Sequence, residues 1–149
     1  MDNDAARALA MVCLARRDFA SAELREELSA RGFDGPAAAA AVAALVAEGL
    51  LSDGRYADNF VAARAGRGQG PARIAAELRR RGIEEALVAD ALAAGPDWRA
   101  LALRVRRAKY GPQPPASWQD RARQARFLQY RGFSSDDIRA ATDVDVEQD

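Results

Sequence analysis

The sequence predicts an all-α protein: nine helices in three tandem three-helix repeats, packed into an elongated, curved array. Three observations carry this. The tripeptide Arg-Gly-apolar occurs at Arg31-Gly32-Phe33, Arg81-Gly82-Ile83 and Arg131-Gly132-Phe133, a constant period of 50 residues. Each copy follows a run with helical spacing, Leu24/Leu28, Ile74/Leu78 and Gln124/Leu128, and precedes a second helical run. No segment alternates apolar and polar residues with period two over a useful length, so no sheet is expected.

The tripeptides read as helix stops. Glycine enters the left-handed region at little cost and commonly ends a helix at the C′ position. The residue after it then folds back on the one five positions upstream. Those pairs are Leu28 with Phe33, Leu78 with Ile83 and Leu128 with Phe133, apolar on both sides. Gly49, with Leu45 and Leu50, makes a fourth stop of the same kind. A fixed period with such stops marks tandem helical units. One unit alone is too small for much stability, so neighbours should stack. The repeats are assigned to residues 1–51, 52–95 and 96–149.

The first helix spans about residues 4–17 by spacing, with Leu9, Val12 and Cys13 as its apolar positions. Ser21 is read as the cap of the second, which turns Leu24 and Leu28 inward and places Glu23 at N2, favourable to the helix dipole. The third opens at Asp34-Gly35-Pro36, with proline in its first turn. Ala38, Ala41, Val42, Leu45 and Val46 form its apolar face, and it stops at Gly49.

Ser52 or Asp53 caps the fourth helix, which continues through Tyr56, Phe60 and Val61 until the run Gly66-Arg67-Gly68-Gln69-Gly70-Pro71 breaks it. Pro71 opens the fifth, with Ile74, Ala75 and Leu78 inward. Arg79, Arg80 and Arg81 crowd its last turn, where cations suit the dipole. Glu84 to Ala94 is the sixth. Gly95-Pro96-Asp97 begins the third repeat, and Trp98, Leu101, Ala102 and Val105 face inward. A proline-rich loop, Tyr110 to Pro115, leads to an eighth helix over 117–131 and a ninth from Ser135. The acidic stretch from Asp143 to Asp149 reads as a frayed tail.

Composition excludes several kinds of chemistry. The chain has no histidine, which removes the usual neutral-pH base and the commonest metal ligand. Its single cysteine, Cys13, can form neither an internal disulfide nor a zinc site. It sits between Val12 and Leu14, in the setting of a buried helix face rather than a reactive thiol. The glycine run at 66–70 lacks the preceding strand and the Gly-Lys-Ser/Thr ending of a nucleotide loop. Two readings stay open for it: a hinge between helices, or a backbone nest that touches a phosphate. No stretch approaches the ~20 apolar residues of a membrane span. Met-Asp-Asn-Asp lacks the regions of a signal peptide. The expectation is a cytoplasmic, monomeric non-enzyme without metal or cofactor.

Charge is balanced overall, with 22 basic and 22 acidic residues, but it is segregated along the chain. Residues 55–81 hold seven arginines against Asp58 and Glu77, and residues 99–131 hold nine basic residues against Asp120 alone. The segments around them are acidic. Twenty-one of the 22 basic residues are arginine, whose planar fork suits phosphate and carboxylate contacts. Either the basic and acidic faces neutralise each other, or an arginine face meets phosphates or an acidic protein. The candidate binding residues are Arg64, Arg67, Arg73, Arg79, Arg80, Arg104, Arg106, Arg107, Lys109, Arg121, Arg123 and Arg126.

The middle of the chain, Leu50-Leu51-Ser52-Asp53-Gly54-Arg55-Tyr56-Ala57-Asp58-Asn59-Phe60-Val61-Ala62-Ala63-Arg64 and then Gly68-Gln69-Gly70-Pro71-Ala72-Arg73-Ile74-Ala75-Ala76-Glu77-Leu78-Arg79-Arg80-Arg81-Gly82-Ile83, resembles the bacterial RecX family. Leu14-Ala15-Arg16-Arg17-Asp18-Phe19-Ala20-Ser21-Ala22-Glu23-Leu24 and Phe127-Leu128-Gln129-Tyr130-Arg131-Gly132-Phe133-Ser134 resemble its flanking blocks. The resemblance implies three tandem three-helix repeats and a negative regulator of the RecA recombinase. Such a protein binds the RecA filament on single-stranded DNA and suppresses its ATPase, strand exchange and SOS co-protease activity. It implies no catalytic residues. The alternative is a helical module that binds DNA directly, since a three-helix unit can present a helix to nucleic acid.

Overall fold

The computed structural model describes residues 2–142, and the acidic segment 143–149 lies outside them. Nine helices and no strand occur among the described residues: α1 Asp2–Arg16, α2 Ser21–Ala30, α3 Gly35–Ala47, α4 Asp53–Gly66, α5 Pro71–Arg80, α6 Glu85–Ala93, α7 Trp98–Tyr110, α8 Trp118–Arg131 and α9 Ser135–Thr142. None of these is long and apolar enough to cross a membrane.

The helix ends follow from local chemistry. At the stops, the amides of Phe33, Ile83 and Phe133 donate to the carbonyls of Leu28, Leu78 and Leu128 at 3.1–3.2 Å. The intervening glycines all have positive φ, +103° at Gly32 and +97° at Gly132. Leu50 donates likewise to Leu45 at 3.0 Å. At the starts, side chains of Asp34, Ser52, Asp97, Ser117 and Ser134 accept the backbone amide three residues on. These satisfy amides that a helix leaves without internal partners.

The start of α2 differs from the expected Ser21 cap. Ala20 is the N-cap, and its methyl offers no acceptor. Two carboxylates supply what is missing. Glu23, now at N3, accepts from the Ala20 amide at 2.9 Å. Asp53, the first residue of α4, accepts from the Ser21 amide at 2.8 Å. Of the two residues that could cap α4, Ser52 does so, which leaves Asp53 free for α2.

The chain divides into two compact units. One comprises residues 1–57 and 78–88, the other 58–77 and 89–149. In the first, α1, α2 and α3 pack pairwise around Ala10, Cys13, Leu24, Leu28, Val42 and Leu45. Cys13 is buried, as its apolar setting suggested, but Val12 and Val46 are about half exposed. The stripe of α1 that faces the core is Ala6, Ala10 and Cys13. The small alanines let the helices approach closely. Arg7 and Glu48 join α1 to the end of α3, with Nη2 to Oε1 at 2.8 Å. That hydrogen bond holds the Glu48 carboxyl below the usual carboxylate range.

A polar node closes the same unit. Arg81 Nη1 donates to the Tyr56 hydroxyl at 2.8 Å and to Glu23 at 3.1 Å. It ties the end of α5 to the starts of α4 and α2. Burial, and then the Glu23 charge, push the Tyr56 hydroxyl pKa up. Gly82 lies against Ala22: a Cβ on the glycine would come within 2.7 Å of the alanine methyl.

In the second unit, α7, α8 and α9 pack pairwise around Ala65, Leu101, Ala102, Leu128, Phe133 and Ala141. The glycine run connects α4 to α5, and its last residue is docked on the end of α8. Gly68 makes a further stop, with Gln69 donating to the Arg64 carbonyl at 3.1 Å. The amides of Gly70 and Ala72, which open α5, donate to the carbonyls of Arg131 and Gly132 at 2.6 and 2.9 Å. The start of α5 is therefore filled by the end of α8. The positive end of one helix dipole meets the negative end of another.

Candidate functional site

Helix geometry sorts the predicted arginines. In α8, Gln124 and Leu128 are buried. The opposite side carries Gln119, Arg123, Arg126 and Tyr130, at steps of four, three and four residues, all exposed. This spacing places them in one row along the helix. In α7, Leu101, Ala102 and Arg106 are buried, while Arg104 and Arg107 share an exposed face.

Arg106 leaves the predicted set. Its side chain is 1% exposed. Nη1 donates to the Gln113 carbonyl at 3.0 Å and to Gln124 Oε1 at 3.2 Å. Burial, and then the neighbouring Arg107 charge, lower its pKa. The guanidinium clamps the proline-rich loop to α7 and α8 and is closed to an outside partner. Its helical spacing, four residues after Ala102, was the signal that it shares the buried stripe.

Other predicted residues have internal work. Arg79 makes two hydrogen bonds to Glu85 at 2.8 and 2.6 Å. These raise the Arg79 pKa and lower that of Glu85. Arg64 is half-buried, with its guanidinium 4.3 Å from the Phe60 ring centroid. Arg73 is exposed, but its backbone lies against Gly132. Arg67 is exposed, and its carbonyl accepts from Arg131 Nη1 at 3.0 Å. Arg80 is exposed on α5.

The structure brings the remaining basic residues together with aromatic rings that sequence reasoning passed over. Tyr110 and Phe127 meet edge to face, with centroids 5.6 Å apart. Lys109 and Arg131 lie 5.4 and 5.1 Å from the Phe127 centroid, and Arg123 lies 5.8 Å from that of Tyr110. Arg121 covers Trp118 at 4.9 Å. Asp120 pairs with Arg123 at 3.0 Å. Arg104, Arg107 and Arg126 have no carboxylate partner among the described residues. The result is a positively charged surface with π faces, on the third repeat.

Among the described residues no group of three or more Asp, Glu or Cys side chains is placed to hold a metal ion. The surface offers positive charge and ring faces.

Comparison with known proteins gives a consistent result. Residues 52–92 match the model of the RecX second three-helix domain, and residues 97–142 match that of the third. The regulatory protein RecX of Halorhodospira halophila is 43% identical over 148 residues, 99% of this chain and 92% of that protein. Its counterpart in Pseudomonas syringae pv. tomato is 44% identical over 135 residues, 90% and 87% of the two chains. The crystal structure of RecX from Lactobacillus salivarius superposes with a TM-score of 0.81 at 19% identity, covering 99% of this chain and 96% of that one. A second crystal structure, of a regulatory protein RecX, gives 0.80 at 22%, covering 95% and 72%. At such identities the likeness speaks for the fold.

Proposed function

The chain belongs to the RecX family of regulatory proteins, and on that premise we propose that it is a negative regulator of the RecA recombinase. It binds the RecA filament on single-stranded DNA and suppresses ATP hydrolysis, strand exchange and the SOS co-protease activity. It does so in the cytoplasm as a monomer, by binding and without chemistry of its own. The observation that carries the reading is identity of 43% with a RecX regulator across nearly the whole length of both chains. The exposed arginines of α7 and α8 supply the charge that a filament of phosphates and carboxylates would meet. The test is RecA's single-strand-dependent ATPase with and without the purified protein. A fall in rate with increasing protein supports the reading; an unchanged or raised rate removes it.

A second reading is direct binding to nucleic acid. The row Arg123, Arg126 and Tyr130 on the outer side of α8 favours it. Binding to naked DNA would then weaken steeply with salt. Binding to RecA filaments that survives at salt which abolishes naked-DNA binding would return the weight to protein contacts.

A further inference from the structure

We propose that the exposed surface of α8 is a stacking site for the bases of single-stranded nucleic acid, with Trp118 and Tyr130 as the platforms and Arg123 and Arg126 on the phosphates. This rests on the second reading, direct binding, and names what that surface takes.

Trp118 is 80% exposed and Tyr130 is 83% exposed. A helix that buries Gln124 while leaving two large rings in water has its apolar and polar residues inverted with respect to folding. Trp118 stands in the first turn of α8 and Tyr130 in the last, about 18 Å apart along the axis and about a third of a turn apart around it. Arg123 and Arg126 lie between them. Arg121 covers one face of the Trp118 ring at 4.9 Å, which orients the indole and leaves its other face to solvent.

The composition of the surface selects the ligand. Among the described residues, the exposed large aliphatic side chains, Met11, Val12, Val46 and Leu50, all belong to the first compact unit. The second unit exposes aromatic rings and arginines instead. A single strand offers flat bases and a charged backbone, which rings and guanidinium groups match without regard to sequence. A duplex hides its base faces in the stack and offers only its phosphates.

The test uses the full chain and labelled oligonucleotides of one length: oligo(dT), the same backbone with abasic sites throughout, and a duplex. Fluorescence anisotropy should show oligo(dT) bound about tenfold or more tighter than the abasic strand, the ratio expected for one stacked base. Trp118→Ala and Tyr130→Ala should each reduce that difference, the two together should abolish it, and abasic binding should stay unchanged. In a Trp98→Phe background Trp118 is the only tryptophan, and its emission should be quenched by oligo(dT) but not by the abasic strand. Equal binding to both strands would overturn the stacking site while leaving direct electrostatic binding in place. No binding to any of the three would overturn both. Loss of RecA inhibition in Trp118→Ala and Tyr130→Ala without change in oligo(dT) binding would assign the rings to a protein contact and also overturn the proposal.

Discussion

Gly132 lies so close to Arg73 that a Cβ on the glycine would come within 2.4 Å of the arginine Cβ and 2.7 Å of its amide nitrogen. Gly82, one 50-residue period earlier, stands in a similar relation to Ala22. In both cases the end of one repeat's middle helix meets the start of the preceding repeat's middle helix. The Arg-Gly-apolar tripeptide therefore does two things: it stops its own helix and gives the neighbour room to dock. At Gly32, in the first repeat, no atom stands within 4 Å of the added Cβ. There the glycine serves only the stop.

Alanine substitutions at these positions should separate the two roles. Gly32→Ala meets only the left-handed strain and should cost about 1 kcal/mol. Gly132→Ala adds a backbone clash and should cost roughly 2–5 kcal/mol in all. Gly82→Ala should fall between, because its obstacle is a single methyl. Urea unfolding midpoints give the order. Equal costs at Gly32 and Gly132 would remove the docking role.

The helix stops were legible in the sequence because a glycine stop is set by its own five residues. So was the fold class, which follows from stops at a fixed period. The docking role was not legible, since it depends on residues far away in the chain. Ser21 was mistaken for a cap because the actual partners, Glu23 and Asp53, act on a residue with no side-chain acceptor. Arg106 was counted with its charged neighbours, although its spacing from Ala102 placed it on the buried stripe. Trp118 and Tyr130 stand off the Gln124/Leu128 stripe, and that spacing was the signal that both rings are exposed.

The buried clamp can be tested by a double-mutant cycle. Gln124→Leu leaves the Arg106 guanidinium with one acceptor fewer in a buried setting, at a cost of about 1–3 kcal/mol. Arg106→Met added to that variant removes the stranded charge with little loss of volume. The double variant should therefore be more stable than Gln124→Leu alone, by chemical denaturation. Strict additivity of the two costs would mean that the hydrogen bond contributes nothing to stability.

Tyr56 makes stability sensitive to alkali. Its pKa is raised in the folded protein, by burial first and by the Glu23 charge second, against the opposing effect of Arg81. The folded state thus favours the neutral phenol. That contribution is fully present below the unfolded tyrosine pKa of about 10 and is lost as pH rises through the folded value. Tyr56→Phe should be less stable at pH 8, by about 1 kcal/mol for the lost hydrogen bond. The gap should narrow or reverse above pH 10, when melting temperatures of the two proteins are compared. Parallel curves across that range would show that Tyr56 ionises alike in both states.

The arginine surface gives the most direct test of function. Arg104, Arg107 and Arg126 are exposed and have no carboxylate partner among the described residues. Reversing all three to glutamate removes no ion pair among the described residues, so the melting temperature should move by no more than about 3 °C. Inhibition of the RecA ATPase should be lost, because the counter-charge on the filament now meets glutamates. Arg106→Glu is the necessary contrast. It puts an anion beside the Gln113 carbonyl and Gln124 Oε1 in a buried site, and should unfold the protein rather than disarm it. Arg25→Glu, an exposed change on α2, should alter neither property much. If Arg25→Glu abolished inhibition as completely as the triple reversal, the effect would be one of overall charge, and the α7–α8 surface would lose its claim as the binding face.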